Sequence, residues 1–420
     1  MGRPRVHYAW IILLMGTWVV FGSLGLARFG YSFVLPPMQV GLGMNNAEAG
    51  LLASANLAGY LALALIGGAL ASRFGPRIVI ALGLAVAGLG MLLTGLAGTF
   101  LAAAACRALT GLGSGASNVP VMGLMASWFG ARRRGLAAGI AVTGSSIALI
   151  LVGRFVPGVL AAYGSDGWRV SWYAFGAVTL ALAAASYAIL RNRPSDLGLC
   201  ALGGNAPAIR EHPAGPEPVE WGRVYRSPSV WHLGMVYTAF GFSYMIFMTF
   251  FVKRLVAEGG FSAKQAGHLF MVMGWFSLLC GLVWGAVSDR LGRRPTLVIV
   301  YLIHAAAFSL FALAATPTGF AASAILFGLS AWSIPAIMAA ACGDALGPRL
   351  APAALGFVTV FFGVGQAVGP AVAGAIADRA GTFAPAFLLA AAVAVLGAGG
   401  SALIHSAHAA GGRTPVPPDP

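Results

Sequence analysis

Three arginines, Arg28, Arg107 and Arg154, stand inside long apolar runs, and no carboxylate shares their depth. All 11 Asp and Glu fall between such runs or near their ends. A guanidinium inside a membrane-like run is costly and needs a partner or an aqueous cavity. Its planar fork fits a carboxylate with two parallel hydrogen bonds. The chemistry these residues suggest is recognition of an anion rather than bond breaking. No phosphate-binding glycine loop, nucleophile–base pair or metal-ligand cluster appears, and Cys106, Cys200, Cys280 and Cys342 have no CxxC spacing. No cofactor or metal is expected, and neither an enzyme nor an ATP-driven pump.

The elements that hold these arginines follow from composition. The 420 residues are 59% hydrophobic and 9% charged, against roughly a quarter charged in soluble domains. Only a bilayer absorbs that much apolar surface. The net charge of +14 is spread between the runs rather than gathered on one face, which argues against a nucleic-acid partner. With about 20 apolar residues per crossing, twelve spans can be placed: 8–37, 47–71, 78–97, 99–127, 134–163, 170–190, 229–255, 264–288, 295–315, 319–345, 352–377 and 384–406. The first run is too long for the apolar part of a cleavable signal peptide. Residues 1–190 read as one six-helix bundle and 229–406 as another. A flexible, Pro-rich link over 191–228 joins them, and a short tail follows at 407–420.

Counting 1.5 Å per residue, Arg28, Arg107 and Arg154 lie about 12–13 Å inside spans 1, 4 and 5, and Asn56 on span 2 shares that level. One positive pocket built by the first half is the expectation. Tyr31 and Asn118 add hydrogen-bonding groups there. The second half offers a different wall. Tyr237, Phe240, Tyr244 and Phe247 lie on span 7, Trp275 on span 8, Trp332 and Ser333 on span 10, and Gln366 on span 11. Tyr237, Tyr244, Trp332 and Gln366 are the substrate contacts expected from that side. A cationic wall facing an aromatic one suits an amphipathic organic anion. Each arginine also has a structural alternative, and for Arg154 it is snorkelling toward the interface.

The chain is a half-molecule written twice, at an offset of 217. Gly68-Ala69-Leu70-Ala71-Ser72-Arg73-Phe74-Gly75-Pro76-Arg77 returns as Gly285-Ala286-Val287-Ser288-Asp289-Arg290-Leu291-Gly292-Arg293-Arg294. This paired loop resembles the signature loop of the major facilitator superfamily. Arg107-Ala108-Leu109-Thr110-Gly111-Leu112-Gly113 resembles a further motif of that superfamily, on its fourth helix. The resemblance implies an all-α membrane protein with twelve transmembrane helices in two pseudo-symmetric bundles, working by alternating access around a midplane site. It also implies that Ser72, Arg73, Gly75, Arg77, Asp289, Arg290, Gly292 and Arg294 act as a gate, with Asp289 reaching across the halves to hold the cytoplasmic side shut in the outward-facing state. Ser72 replaces the acid in the first copy, so the first loop should latch more weakly. Finer details, among them His7-Tyr8-Ala9-Trp10 and Trp128-Phe129, resemble the bacterial monocarboxylate and oxalate–formate branch. That branch often has an arginine on helix 8 and, in the oxalate exchangers, a lysine on helix 11; both are missing here.

With the N-terminus inside, 17 Lys and Arg fall in inner connections and 5 in outer ones. This places both termini in the cytoplasm of a multi-pass protein of the inner (plasma) membrane. The expected function is secondary transport of a small organic monocarboxylate by proton symport. The expected partners are that anion, protons and lipid, and the chain is expected to act as a monomer. The alternatives are proton-driven efflux of hydrophobic drugs or metabolites, an organic-anion exchanger, or a nutrient sensor that does not transport.

Overall fold

The computed structural model describes residues 7–130, 133–203 and 221–404. The first basic residues, the middle of the 191–228 connection and the 407–420 tail lie outside the described residues. Twelve legs run back and forth. The first half holds α1 (Ala9–Gly41), α2 (Asn46–Phe74), α3 (Pro76–Leu96), α4 (Phe100–Trp128), α5 (Arg134–Tyr163) and α6 (Gly167–Ile189). The second holds α7 (Pro228–Ala257), α8 (Ala263–Leu291), α9 (Arg293–Leu313), α10 (Pro317–Gly347), α11 (Leu350–Ala380) and α12 (Ala384–Ala402). We call the end where α1 begins the termini face and the opposite end the far face. By length and apolarity, eleven legs fall within the ten stretches able to cross a membrane, α5 and α6 sharing one. α4 falls short because it carries Arg107, Thr110, Ser114, Ser117 and Asn118.

Local chemistry sets the boundaries. Asn45 and Glu48 form a capping box that starts α2, and Ser262 and Gln265 form another at α8. Each box satisfies two orphan amides of a first turn. α2 ends at Gly75 with φ +85° and α8 at Gly292 with φ +92°. The signature loop therefore turns through left-handed backbone in both copies, which side chains other than glycine resist. Between helices, small residues allow close packing, as expected in lipid. A Cβ on Gly111 would fall 1.9 Å from the Asn56 carbonyl oxygen, and one on Gly113 would fall 2.3 Å from the Ala87 nitrogen.

Three legs are irregular. α1 is wound as a π-helix from Phe21 to Phe29. α8 breaks at Leu278 and Leu279, and α10 between Leu329 and Trp332. Each irregularity lies near mid-leg, and Arg28 stands at the end of the first.

The halves touch toward the far face and part toward the termini face. On α2 and α11, a Cβ on Gly50 would meet the Pro370 carbonyl oxygen at 2.1 Å. Gly68 and Gly356, further along the same pair, meet nothing within 4 Å. On α5 and α8, Gly153 and Gly267 press together, while Gly135 and Gly285 meet nothing within 4 Å. Asp378 on α11 closes the far face. It accepts the amide hydrogens of Asn46 at 2.9 Å and Ala47 at 2.7 Å, in the first turn of α2.

The connection between the halves, expected as a flexible link over 191–228, is docked at both of its described ends. Gly130 donates to the Leu202 carbonyl and Leu202 to the Trp128 carbonyl, so the chain is docked on the end of α4. At the other end Val224 is buried and the Tyr225 ring packs on Phe357 of α11. The apolar residues interspersed among the prolines anchor both described ends.

Candidate substrate site

The π-helical stretch of α1 brings Arg28 to the centre. Its glycines let α1 lie against α5: a Cβ on Gly25 would stand 2.2 Å from the Ala148 Cβ. A π turn widens the helix locally and often marks a functional site. Arg28 is 7% exposed and Arg107 1%. They line one small cavity, of about 10 Å³, with Phe29, Tyr31, Ala53, Asn56, Met245, Met248 and Thr249. No acidic residue is in this lining.

The two guanidiniums are held differently. Arg107 donates from Nη1 to the Ala27 carbonyl at 2.6 Å and lies over the rings of Tyr31 and Trp172, 4.9 and 5.0 Å from their centroids. Asn56 donates to the Arg107 backbone carbonyl at 3.1 Å, and the Tyr31 hydroxyl to the Ala49 carbonyl at 2.7 Å. Arg28 lies over the Tyr60 ring at 4.5 Å and donates from Nη1 to the Tyr244 hydroxyl at 3.4 Å. Gln366 also donates to the Tyr244 hydroxyl. Arg28 of the first half thus meets α7 and α11 of the second at a single phenol. Nε and Nη2 of Arg28, Nε of Arg107 and the Thr249 hydroxyl have no hydrogen-bond partner. Buried unpaired donors of this kind are costly. Two cations with spare donors therefore share a lining without an acid.

The second half lines the cavity with Met245, Met248 and Thr249, so Tyr237, Tyr244, Trp332 and Gln366, expected as contacts from that side, are outside the lining, as is Asn118. The rings of α7 instead form a parallel stack beside it. Tyr237, Phe240 and Tyr244 of α7 interleave with Phe362 of α11, with Tyr237 and Phe362 4.4 Å apart at 11° and Phe240 and Tyr244 4.7 Å apart at 14°. The stack ends at the Tyr244 hydroxyl. Trp332 joins from the break in α10: its ring lies 5.3 Å from Phe29 and its Nε1 donates to Ser146 of α5 at 3.0 Å. Ser277, at the break in α8, donates to the same Ser146 hydroxyl at 2.8 Å. Asn118 donates to the Tyr60 hydroxyl at 3.0 Å, beside Arg28.

Arg154 requires a correction. It is exposed, and its guanidinium lies 5.7 Å from the centroid of its own neighbour Phe155, apart from Arg28 and Arg107. Depth along a span gives no azimuth, and α5 turns Gly153 toward α8 while Arg154 points outside. Trp275 is 59% exposed on α8, and Phe247 packs in the interior of the second half against Phe308 and Phe327, so neither lines the cavity. His304 is caged by Phe240, Phe308 and Phe327 with no hydrogen-bond partner.

The gate residues are seen here with the termini face parted, the conformation in which the cross-half contact expected of Asp289 is not made. Asp289 accepts from Arg293 at 2.5 Å, and Arg293 reaches Asp344 of α10 at 3.1 Å, so Asp289 is paired within its own half. The partner is Arg293, the first residue of α9 beyond the Gly292 turn; Arg290 and Arg294 are exposed. In the first copy the Ser72 hydroxyl bonds the Gly68 carbonyl, Arg73 lies over Phe74, and Arg77 donates to the Tyr187 carbonyl at 2.6 Å. Sequence reasoning missed Tyr60, Thr249, Met245 and Met248. Two signals were available. Tyr60 follows Asn56 by four residues, on the same helix face. Met245 and Met248 are the repeat partners of Arg28 and Tyr31 at the offset of 217, and all four line the cavity.

Comparison with known proteins agrees with this architecture. The chain is 26% identical over 90% of its length, and 90% of the relative's, to the "Probable sulfoacetate transporter SauU" of Cupriavidus necator. It is 24% identical to the "Hexuronate transporter" of Bacillus subtilis, over 88% of each chain. It is 26% identical to the "4-hydroxybenzoate transporter PcaK" of Pseudomonas aeruginosa, over 72% of this chain and 71% of that one. Among solved structures, a bacterial homolog of the human lysosomal transporter Spinster, inward-facing and unoccupied, superposes with a TM-score of 0.72 at 16% identity, covering 96% of this chain and 98% of that one. The family model described as "Uncharacterised MFS-type transporter YbfB" matches residues 20–401. The chain belongs to that family of major facilitator transporters, as its duplicated loop and its two six-helix halves already indicate.

Proposed function

We propose that this protein carries a small organic anion across the membrane by alternating access, with Arg28 and Arg107 as its anion receptors. The observation that carries this reading is the cavity itself: two buried guanidiniums, three guanidinium nitrogens without partners and no acid in the lining. The relatives point the same way, since sulfoacetate, hexuronate and 4-hydroxybenzoate each bear a carboxylate. Met245 and Met248 of α7 give the carbon skeleton an apolar wall, which favours a monocarboxylate. An exporter of hydrophobic cations would place an acid in this cavity.

The cycle follows from the contacts. With the termini in the cytoplasm of an inner membrane, this conformation faces inward, closed outside by Asp378 and the glycine contacts. An arriving carboxylate takes the free nitrogens of Arg28 and competes with Tyr244 for the rest. Neutralising the two cations lets the halves close over the guest. Asp289 and its loop then serve as the inner latch in the outward-facing state. Inward uptake with a proton is the coupling we favour, in a protein acting as a monomer.

The test is counterflow in proteoliposomes with a panel of radiolabelled monocarboxylates, with and without a pH gradient. Wild-type protein should concentrate at least one acid, faster with the interior alkaline. Arg28→Ala should lose it, because each charged hydrogen bond contributes about 1.5–3 kcal/mol. Wild-type flux in Arg28→Ala would overturn the reading. Flux indifferent to the pH gradient, but accelerated by internal anion, would replace symport with exchange.

A further inference from the structure

The first-half arginine that the substrate cavity leaves out has a place of its own. Among the described residues, the Arg154 guanidinium meets only the Phe155 ring, at 5.7 Å, yet it lies about 13 Å inside a membrane-spanning leg by helix rise. A charge at that depth does not stay unpaired. No described residue pairs with it, and it reaches toward the lipid side.

The register of α5 against α8 shows what else is nearby. Gly153 and Gly267 touch backbone to backbone: a Cβ on either would fall 2.5 or 2.4 Å from the other's carbonyl oxygen. Gly274 packs on Ile150, and Ser277 bonds Ser146 at 2.8 Å. The two legs therefore run antiparallel in fixed register. In such a pair, residues one step beyond the touching position lie on the same flank of both helices. Arg154 follows Gly153, and His268 follows Gly267. They stand level on one flank, and both are exposed. Lys264, one turn nearer the far face, is on that flank and exposed too. Val156 of α5 and Phe270 of α8 occupy the opposite, inner flank and are buried. One turn beyond Arg154, Gly158 has nothing within 4 Å of a Cβ position, which leaves the groove open.

We propose that Arg154, Lys264 and His268 hold the phosphate of a membrane phospholipid on the outer flank of the α5–α8 seam. A guanidinium and an ammonium are suited to a phosphate diester, and an imidazole adds a donor. This flank is exposed on a membrane-spanning leg, so the phosphate arrives attached to acyl chains. Arg154 belongs to the first half and Lys264 and His268 to the second, at the place where the halves touch. The bound headgroup therefore bridges them and favours the conformation closed at the far face.

The full-length protein is tested by native mass spectrometry after exchange into detergent containing either phosphatidylglycerol or diacylglycerol, which lacks the phosphate. Wild type should retain phosphatidylglycerol selectively. Arg154→Gln should weaken retention about tenfold, as for one lost charge-assisted contact. Arg379→Gln, an exposed arginine away from the seam, should retain it like wild type. If Arg154→Gln fails to fold, the paired change Lys264→Gln and His268→Gln reads the same contact from the other helix. Equal retention in wild type and seam variants overturns the proposal. So does displacement of the lipid by soluble glycerol phosphate, which would mark a site for a free anion. Substrate counterflow is not read in this experiment, so the outcome is separable from that of the Arg28 test.

Discussion

The carboxylate of Asp378 accepts the backbone amide hydrogen of Asn46 at 2.9 Å, tying α11 of one half to the first turn of α2 in the other. A helix start carries partial positive charge and unpaired amides, and here a carboxylate from the opposite half satisfies two of them. Such a contact exists only while the far face is closed. Removing a cap of this kind costs about 1 kcal/mol, a several-fold shift between the two conformations. Asp378→Ala should therefore lengthen the distance between spin labels at Val40 and Arg379, measured by pulsed dipolar spectroscopy. An unchanged distance distribution would show that the glycine contacts close this face by themselves.

Gly25 is the residue that lets the π-helical turn lie against α5. Gly25→Val would drive a branched side chain into Ala148, whose Cβ already stands 2.2 Å from a Cβ position. Helical content by circular dichroism should stay near wild type, because the legs are long, while counterflow is lost as Arg28 moves. Gly158→Ala, in open space on the same α5, should leave both unchanged.

Tyr244 joins the halves through its hydroxyl, which takes hydrogen bonds from both Arg28 and Gln366. Tyr244→Phe keeps the ring in the stack and strands both donors. Each stranded buried donor costs about 1–3 kcal/mol. The melting temperature without substrate should fall. A transported carboxylate should recover part of the loss, by supplying Arg28 with an acceptor. No recovery would mean that the anion does not reach Arg28.

The ion pairs of Arg293 with Asp289 and Asp344 sit on partly or fully exposed side chains. Pairs of this kind contribute about 0–1 kcal/mol. Asp289→Asn should therefore barely change the melting temperature in this conformation. A strong fall in transport alongside that small change would place the work of Asp289 in the conformation closed at the termini face. Unchanged transport would reduce the loop to a structural turn.

The sequence by itself determined the membrane setting, the doubled half-molecule and the family. These depend on quantities that add along a chain: apolar length, glycines at a fixed offset, and carboxylates kept to span ends and connections. It also put Arg28, Arg107 and Asn56 at one level, and all three line the cavity, because depth along a helix is a linear count. Azimuth is not. The tertiary structure alone decided that Arg154 faces outward while Arg107 faces inward, since one residue rotates a helix by about 100° and a glycine contact fixes which face is covered. It alone wound α1 as a π-helix and paired Asp289 with Arg293 inside its own half. It also spent the Asp378 carboxylate on another helix's amides, a contact 332 residues apart in the chain that no local spacing encodes.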